Sequence, residues 1–188
     1  MKASLAFMDG DEPGNGNAYQ RHLDGDADGA IAIARTVLTR HQRAGNKIAE
    51  ARSWMLIAVL QYHAGDNAES CASMESALIA CADSDEKTEV ARGQRWLGRI
   101  HERKGGIAVA ESHFRAACSA YASIGDHAAV AHASLDIGDM RYLRHDHDEA
   151  AAWWVRSWQA AEELQLGEVM DALSERYAMW IKRSCGTI

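Results

Sequence analysis

Proline occurs once and phenylalanine twice in 188 residues. So little proline leaves room for long uninterrupted helices. No apolar stretch reaches the eighteen residues of a membrane-spanning helix, so no membrane partner is expected. The first residues, MKASLAFMDGDEPGNGNAYQ, contain one lysine and only a short apolar run, which is too little for a signal peptide. The four cysteines (Cys71, Cys81, Cys118, Cys185) form no CxxC pair. Cys71 and Cys81 fall on one expected helix, where ten residues span about 15 Å, too far for a bridge. Few and unpaired cysteines suit a reducing, cytoplasmic setting. Positive charge is also short: the formal net charge is −7, against a general nucleic-acid binder. HExxH is absent, because His101-Glu102 runs into Arg103-Lys104-Gly105, and there is no glycine-rich phosphate loop or nucleophile elbow. No catalytic residue, cofactor or metal is expected, and the chain reads as a non-enzyme.

What the chain does contain is alanine, 47% hydrophobic residues and a repeat. Residues 91–126, ARGQRWLGRIHERKGGIAVAESHFRAACSAYASIGD, read as helix, Gly-Gly turn, helix. Shifted forward by 40, Leu97-Gly98 meets Ile137-Gly138, Ala110 meets Ala150, Phe114 meets Trp154 and Ala117 meets Ser157. Shifted back by 40, the same positions meet Ile57-Ala58, Ser70, Met74 and Ala77. A fixed, gapless period of this length marks a solenoid of helix pairs.

With Ala91 as position 1, each copy has large apolar at 7, small at 8 and 20, bulky apolar at 24 and small at 27. This pattern resembles the tetratricopeptide repeat (TPR), whose signature carries L-G, A, F and A at those offsets. Trp54 occupies the family's tryptophan position. The unit here is 40 residues rather than 34, lacks the terminal proline, and carries Gln61, His101, Arg141 and Ile181 where the family has tyrosine. Such long units are similar to those of Pins-type adaptors, kinesin light chains and MalT-type bacterial regulators. HEAT repeats approach this length but lack the L-G and A…F…A offsets. The expected fold is therefore all-α, an α-α superhelix of antiparallel helix pairs with a closing C-terminal helix.

The expected organisation is a flexible segment 1–24, with Tyr19, His22 and Leu23 as a short remnant, then a repeat domain 25–184. Its repeats fall at about 51–90, 91–130 and 131–170, with half repeats at 25–46 and 168–184. Helices are expected at 26–43, 47–63, 66–82, 87–103, 106–122, 127–143, 146–164 and 168–183. Small residues at position 8 let helix backbones approach, and bulky ones at 24 fill the space between neighbours.

Two clusters imitate metal sites. DGDADG at 24–29 opens like an EF-hand loop, but Arg35 stands where the bidentate Glu belongs. Asp26 also aligns with Asp66 and Asp146 at expected helix N-termini, which makes it a cap. His145, His147 and Asp148 sit in a turn without a further ligand and are read as solvent-facing. Among the tryptophans, Trp154 and Trp158 share a core-facing stripe, whereas Trp153 is a candidate exposed anchor.

The resemblance also names a candidate groove. In TPR proteins positions 2, 5, 9 and 12 of the first helix line the concave face. Here they carry Arg52, Met55, Val59 and Tyr62, then Arg92, Arg95 and Arg99 with Arg103 one residue further on, then His132, Leu135, Asp139 and Tyr142. The four arginines fall within about 80° of one another on the helix. An acidic peptide or protein segment with an apolar residue is the expected guest, since guanidinium forks onto carboxylates. Replacing Arg95 and Arg99 with Glu is expected to spare the fold, as groove positions face solvent. The function this implies is a protein-interaction scaffold, cytoplasmic and bacterial. The alternative is a ligand- or peptide-sensing module of a bacterial signalling or transcription regulator. A homodimer is left open.

Overall fold

The computed structural model describes residues 13–82 and 86–185, and among these every regular element is an α-helix. In order they are α1 (Pro13–Leu23), α2 (Ala27–Ala44), α3 (Lys47–Ala64), α4 (Asn67–Cys81), α5 (Lys87–Arg103), α6 (Ile107–Ser123), α7 (His127–Leu143), α8 (His147–Glu163) and α9 (Gly167–Cys185). From α2 onward the ends fall within two residues of the spans read from periodicity. The N-terminal reading needs correction. Where a short remnant was expected, α1 is an eleven-residue helix whose Ala18 is fully buried and whose Tyr19 packs on the core. Alanine and tyrosine spacing gave too weak an apolar stripe to compete with three nearby glycines as a signal.

Consecutive helices pack as antiparallel pairs, and first helices also touch one another: α1 with α3, α3 with α5, α7 with α9. Among the described residues no pair of second helices makes comparable contact. The first helices therefore form the inner, concave wall of an all-α superhelix, and the second helices its convex side. Left-handed residues mark turns at multiples of 20 residues: Gly25, Gly45, Gly65, Gly105, Gly125, then His145 and Gln165. Asp26, Asn46 and Asp126 cap the helices that follow, accepting from Gly29, Ala49 and Ala129 N–H groups. Asp66 and Asp146 make no such side-chain bond, although their alignment with Asp26 had suggested one.

Packing inside each pair follows the small-against-bulky rule. A Cβ on Gly98 would stand 2.5 Å from Phe114, and one on Gly138 would stand 2.4 Å from Trp154. Phe114 and Trp154 are essentially fully buried, as is Met74 at the same position. Ser70 and Ser157 also tie the two helices of a pair together by donating to the Ala58 and Ala131 carbonyls.

Candidate functional site

The concave wall is built from α3, α5, α7 and α9, and its charged side chains are bound to one another across the helix boundaries. Arg52 of α3 donates to Glu89 of α5 at 2.8 Å, and Arg92 binds the other Glu89 oxygen at 2.9 Å. Arg95 of α5 donates to Asp136 of α7 at 2.6 Å, with Arg99 3.9 Å from the same carboxylate. Asp139 of α7 is gripped by both Nε and Nη2 of Arg176 of α9 and also accepts from Trp154 Nε1. Burial pushes the Asp139 carboxyl up, and the Arg176 bonds only partly oppose this. His132 lies 3.4 Å from Glu168, but burial and then the Arg95 charge hold it neutral, below the ordinary histidine range. Within the arginine stripe, Arg95 is thus a rung to the next repeat, with Arg99 weakly engaged on the same carboxylate, whereas Arg92 pairs inside α5.

Three of the residues assigned to the groove do not face it. Met55 and Val59 are completely buried in the core formed around α3. That helix is enclosed by α1, α2, α4 and α5, so Met55 through Leu60 are all buried, whichever face they occupy. Leu135 is likewise buried. Arg95 is mostly covered as well, with 19% of its side chain exposed, so it is not the solvent-facing position it was expected to be.

The remaining accessible chemistry gathers at the C-terminal ends of α3 and α5. Arg103 stacks over the Tyr62 ring with its guanidinium carbon 3.7 Å from the ring centre, and it donates to the Tyr62 carbonyl oxygen. Tyr62 meets Trp96 edge to face at 5.6 Å, and the Arg99 guanidinium lies 5.6 Å from the Trp96 ring. His63 joins the cluster against His22 and Trp96. Its Nε2 is buried and finds no hydrogen-bond partner among the described residues. Burial, then the charges of His22 and Arg103, keep His63 neutral. Among the described residues no carboxylate lies within ion-pairing distance of Arg103. Glu102 shares this end of the wall, and its carboxyl is raised by desolvation and then by Asp136 and Asp139. Trp96, His22 and His63 went unnoticed in the sequence because they lie outside the groove positions, although Trp96 directly follows Arg95.

Elsewhere on the wall Tyr142 is held between Trp154 and His147, with ring centres 5.5 and 5.1 Å away. Trp153, on the convex side, is half-buried, with the guanidiniums of Arg115 and Arg156 at 5.0 and 5.2 Å. It is therefore a partly exposed surface residue packed beside two arginines. The EF-hand look-alike is a cap: Asp26 binds the Gly29 N–H and also Arg21 at 2.7 Å. Among the described residues no three His, Cys, Asp or Glu side chains are placed to hold a metal ion. Cys71 lies 3.8 Å from His101 Nε2, but burial and then Glu75 raise its thiol while burial lowers His101, which favours the neutral pair over thiolate and imidazolium.

No family model and no curated protein sequence matches the chain. Solved structures do. BtubC (BKLC) from P. vanneervenii superposes with a TM-score of 0.74 at 20% identity, over 91% of this chain and 79% of its own. The kinesin light chain from Podosopora anserina, described by its nearly identical TPR-like repeats, gives 0.63 at 13% identity, over 79% and 73%. The chain has the TPR-like fold. A third TPR-like match is the Rap conjugation gene regulator of plasmid pLS20, solved with the Phr* peptide, at TM-score 0.75 and 15% identity. It covers 95% of this chain, which spans about half (51%) of that regulator. In the TPR-like frame the Tyr62–Trp96–Arg99–Arg103 cluster sits on the inner wall, and no helix of the described residues is long and apolar enough to cross a membrane.

Proposed function

We propose that the chain is a protein-interaction module whose concave wall holds a peptide or protein segment bearing a carboxylate beside an apolar or aromatic side chain. The observation that carries this reading is Arg103. It is fixed on the Tyr62 ring yet has no carboxylate of its own among the described residues, while Arg52, Arg92 and Arg95 each have one. A guest carboxylate would take Arg103 and the weakly engaged Arg99, and its apolar neighbour would lie against Tyr62. Arg52, Arg92, Arg95, His132, Asp139 and Tyr142 serve this reading as the frame that holds the wall in shape. The Rap regulator, solved with its Phr* peptide, supports a peptide guest.

The test is capture from a native bacterial lysate by the wild-type chain and by the Arg99→Glu/Arg103→Glu variant, followed by titration of the captured segment at two salt concentrations. Wild-type binding is expected to weaken with salt, and the variant to lose more than about tenfold in affinity while keeping its helicity. Equal affinity and equal salt response in both proteins would refute the site.

A further inference from the structure

Behind the concave wall, between α2, α3 and α4, lies a hollow that takes no part in the groove. Gln42 of α2, Lys47, Glu50 and Trp54 of α3, and Ser76, Ile79 and Ala80 of α4 line a cavity of about 500 Å³. That is within the range of about 300–1,000 Å³ usual for small-molecule sites. Two of its lining positions break the repeat in opposite senses. Glu50 stands where the later copies have Val90, Val130 and Met170, so an acid replaces an apolar residue. Ile79 stands where the other copies have Thr39, Ser119 and Gln159, so an apolar residue replaces a polar one. The acid is covered and the isoleucine is not: the Glu50 side chain is 10% exposed, whereas Ile79 is 77% exposed. The later copies pack the same helices without this acid, whose desolvation costs free energy. Departures of this kind from the local rule gather at functional sites.

The lining has two chemistries. The Glu50 carboxylate accepts from Gln42 Nε2 at 3.2 Å through Oε1 and from Lys47 Nζ at 2.8 Å through Oε2. The Lys47 hydrogen bond holds this carboxyl below the ordinary glutamate range against the opposing effect of burial, with Gln42 and Trp54 adding to it. It is therefore an anion at neutral pH. Trp54, Ile79 and Ala80 supply apolar surface around it. The Lys47 side chain is 66% exposed, so water already solvates it and another cation can take its place at little cost.

We infer that the hollow is a binding site for a small amphipathic amine, with its ammonium on Glu50 and its apolar body against Trp54 and Ile79. An ammonium offers the charged donors that a carboxylate takes, and the face of an indole attracts it. An apolar body laid on Ile79 removes from water the surface that every other copy makes polar. An acid of the same shape would set a second anion beside a covered carboxylate, which is unfavourable.

The experiment is calorimetry on the full chain at pH 7 with three probes that share one body: phenethylamine, phenethyl alcohol and phenylpropionate. The wild type is expected to bind the amine with a dissociation constant below about 1 mM, the alcohol more than about tenfold more weakly, and the acid not measurably. Glu50→Gln is expected to weaken the amine by more than about tenfold. Ile79→Ser, at an exposed position that tolerates change, is expected to weaken it by about threefold or more with unchanged circular dichroism. Lys47→Gln removes the competing ammonium and is expected to tighten the amine, an effect that a purely structural Lys47–Glu50 pair would not give. Equal binding of all three probes, no binding of the amine, or an amine affinity indifferent to Glu50→Gln and Ile79→Ser alike would overturn the inference. Arg99→Glu/Arg103→Glu is expected to leave amine binding unchanged, so loss of the groove and loss of this site are told apart.

Discussion

Arg95 donates through Nε to Asp136 at 2.6 Å across the boundary between α5 and α7. Both side chains are largely covered, at 19% and 16% exposed. Removing one partner of a pair in such surroundings leaves the other charge desolvated and uncompensated. Arg95→Glu is therefore expected to destabilise the fold by roughly 3 kcal/mol, because it sets a second carboxylate against Asp136. Arg99→Gln, four residues on and lacking a short bond, is expected to stay within about 0.5 kcal/mol. Urea denaturation of the two variants checks the difference, and equal midpoints would contradict it.

Gly138→Ala tests the packing rule. The new methyl carbon would meet Trp154 at 2.4 Å and the Ala150 carbonyl oxygen at 3.2 Å, and Trp154 is almost fully buried, so little can give way. Overpacking of this kind costs about 1–3 kcal/mol, against a helix-propensity gain of at most about 1 kcal/mol. The thermal midpoint is expected to fall by several degrees, roughly 2–4 °C for each kcal/mol in a chain of this size.

Acid sensitivity should centre on Glu111. Burial would raise its carboxyl, but hydrogen bonds from Arg115 and Arg144 and the charge of Arg141 outweigh this and hold it below the ordinary glutamate range. A depressed carboxyl stabilises the fold above its unfolded value, and that contribution is lost as pH falls through the folded one. Stability of the wild type is therefore expected to drop as pH falls below the ordinary glutamate range. Glu111→Gln, less stable at neutral pH, should show a shallower acid limb in thermal melts recorded from pH 7 downward.

Glu102 has the opposite sign. Glu102 is exposed at the surface, yet partial desolvation, then Asp136 and Asp139, raise its carboxyl, so ionising it works weakly against folding. The penalty is absent in acid and grows as pH rises through the ordinary glutamate range toward the raised folded value. Glu102→Gln is expected to raise the thermal midpoint at pH 7 and to leave it nearly unchanged in acid. The same variant should bind an anionic guest more tightly, which a titration at low salt would measure.

Gln165 holds a left-handed conformation (φ 55) at a turn position that glycine fills in most earlier turns. A side chain there is strained by roughly 1 kcal/mol, partly offset by the freedom glycine adds to the unfolded chain. Gln165→Gly is expected to stabilise by up to about 1 kcal/mol, and a lower midpoint in chemical denaturation would count against the strain.

The fold could be read from the chain because its signals are local and repeated: Gly98 against Phe114 recurs as Gly138 against Trp154, and the turn residues keep a fixed spacing. The groove was harder. Helical spacing placed Met55 and Val59 on the inner face, but the uninterrupted apolar run from Met55 to Leu60 was itself the sign of a helix enclosed on all sides. The arginines of α5 were visible as a stripe, whereas their partners were not. Glu89 lies 37 residues from Arg52, Asp136 lies 41 from Arg95, and Arg176 lies 37 from Asp139. Nothing on a single helix announces a bond that exists only once neighbouring repeats have docked.

The rungs Arg52–Glu89, Arg95–Asp136 and Asp139–Arg176 join first helices to first helices, and among the described residues no pair of second helices is in comparable contact. They act as a drawstring threaded along one margin of the molecule. Each tie adds to the packing of α4 on α5, α6 on α7 and α8 on α9, and together they set the bend at each joint. A segment lying along the inside meets a surface whose radius these carboxylates and guanidiniums have already drawn in. A guest acid that lured an arginine from its tie would straighten the coil at that joint.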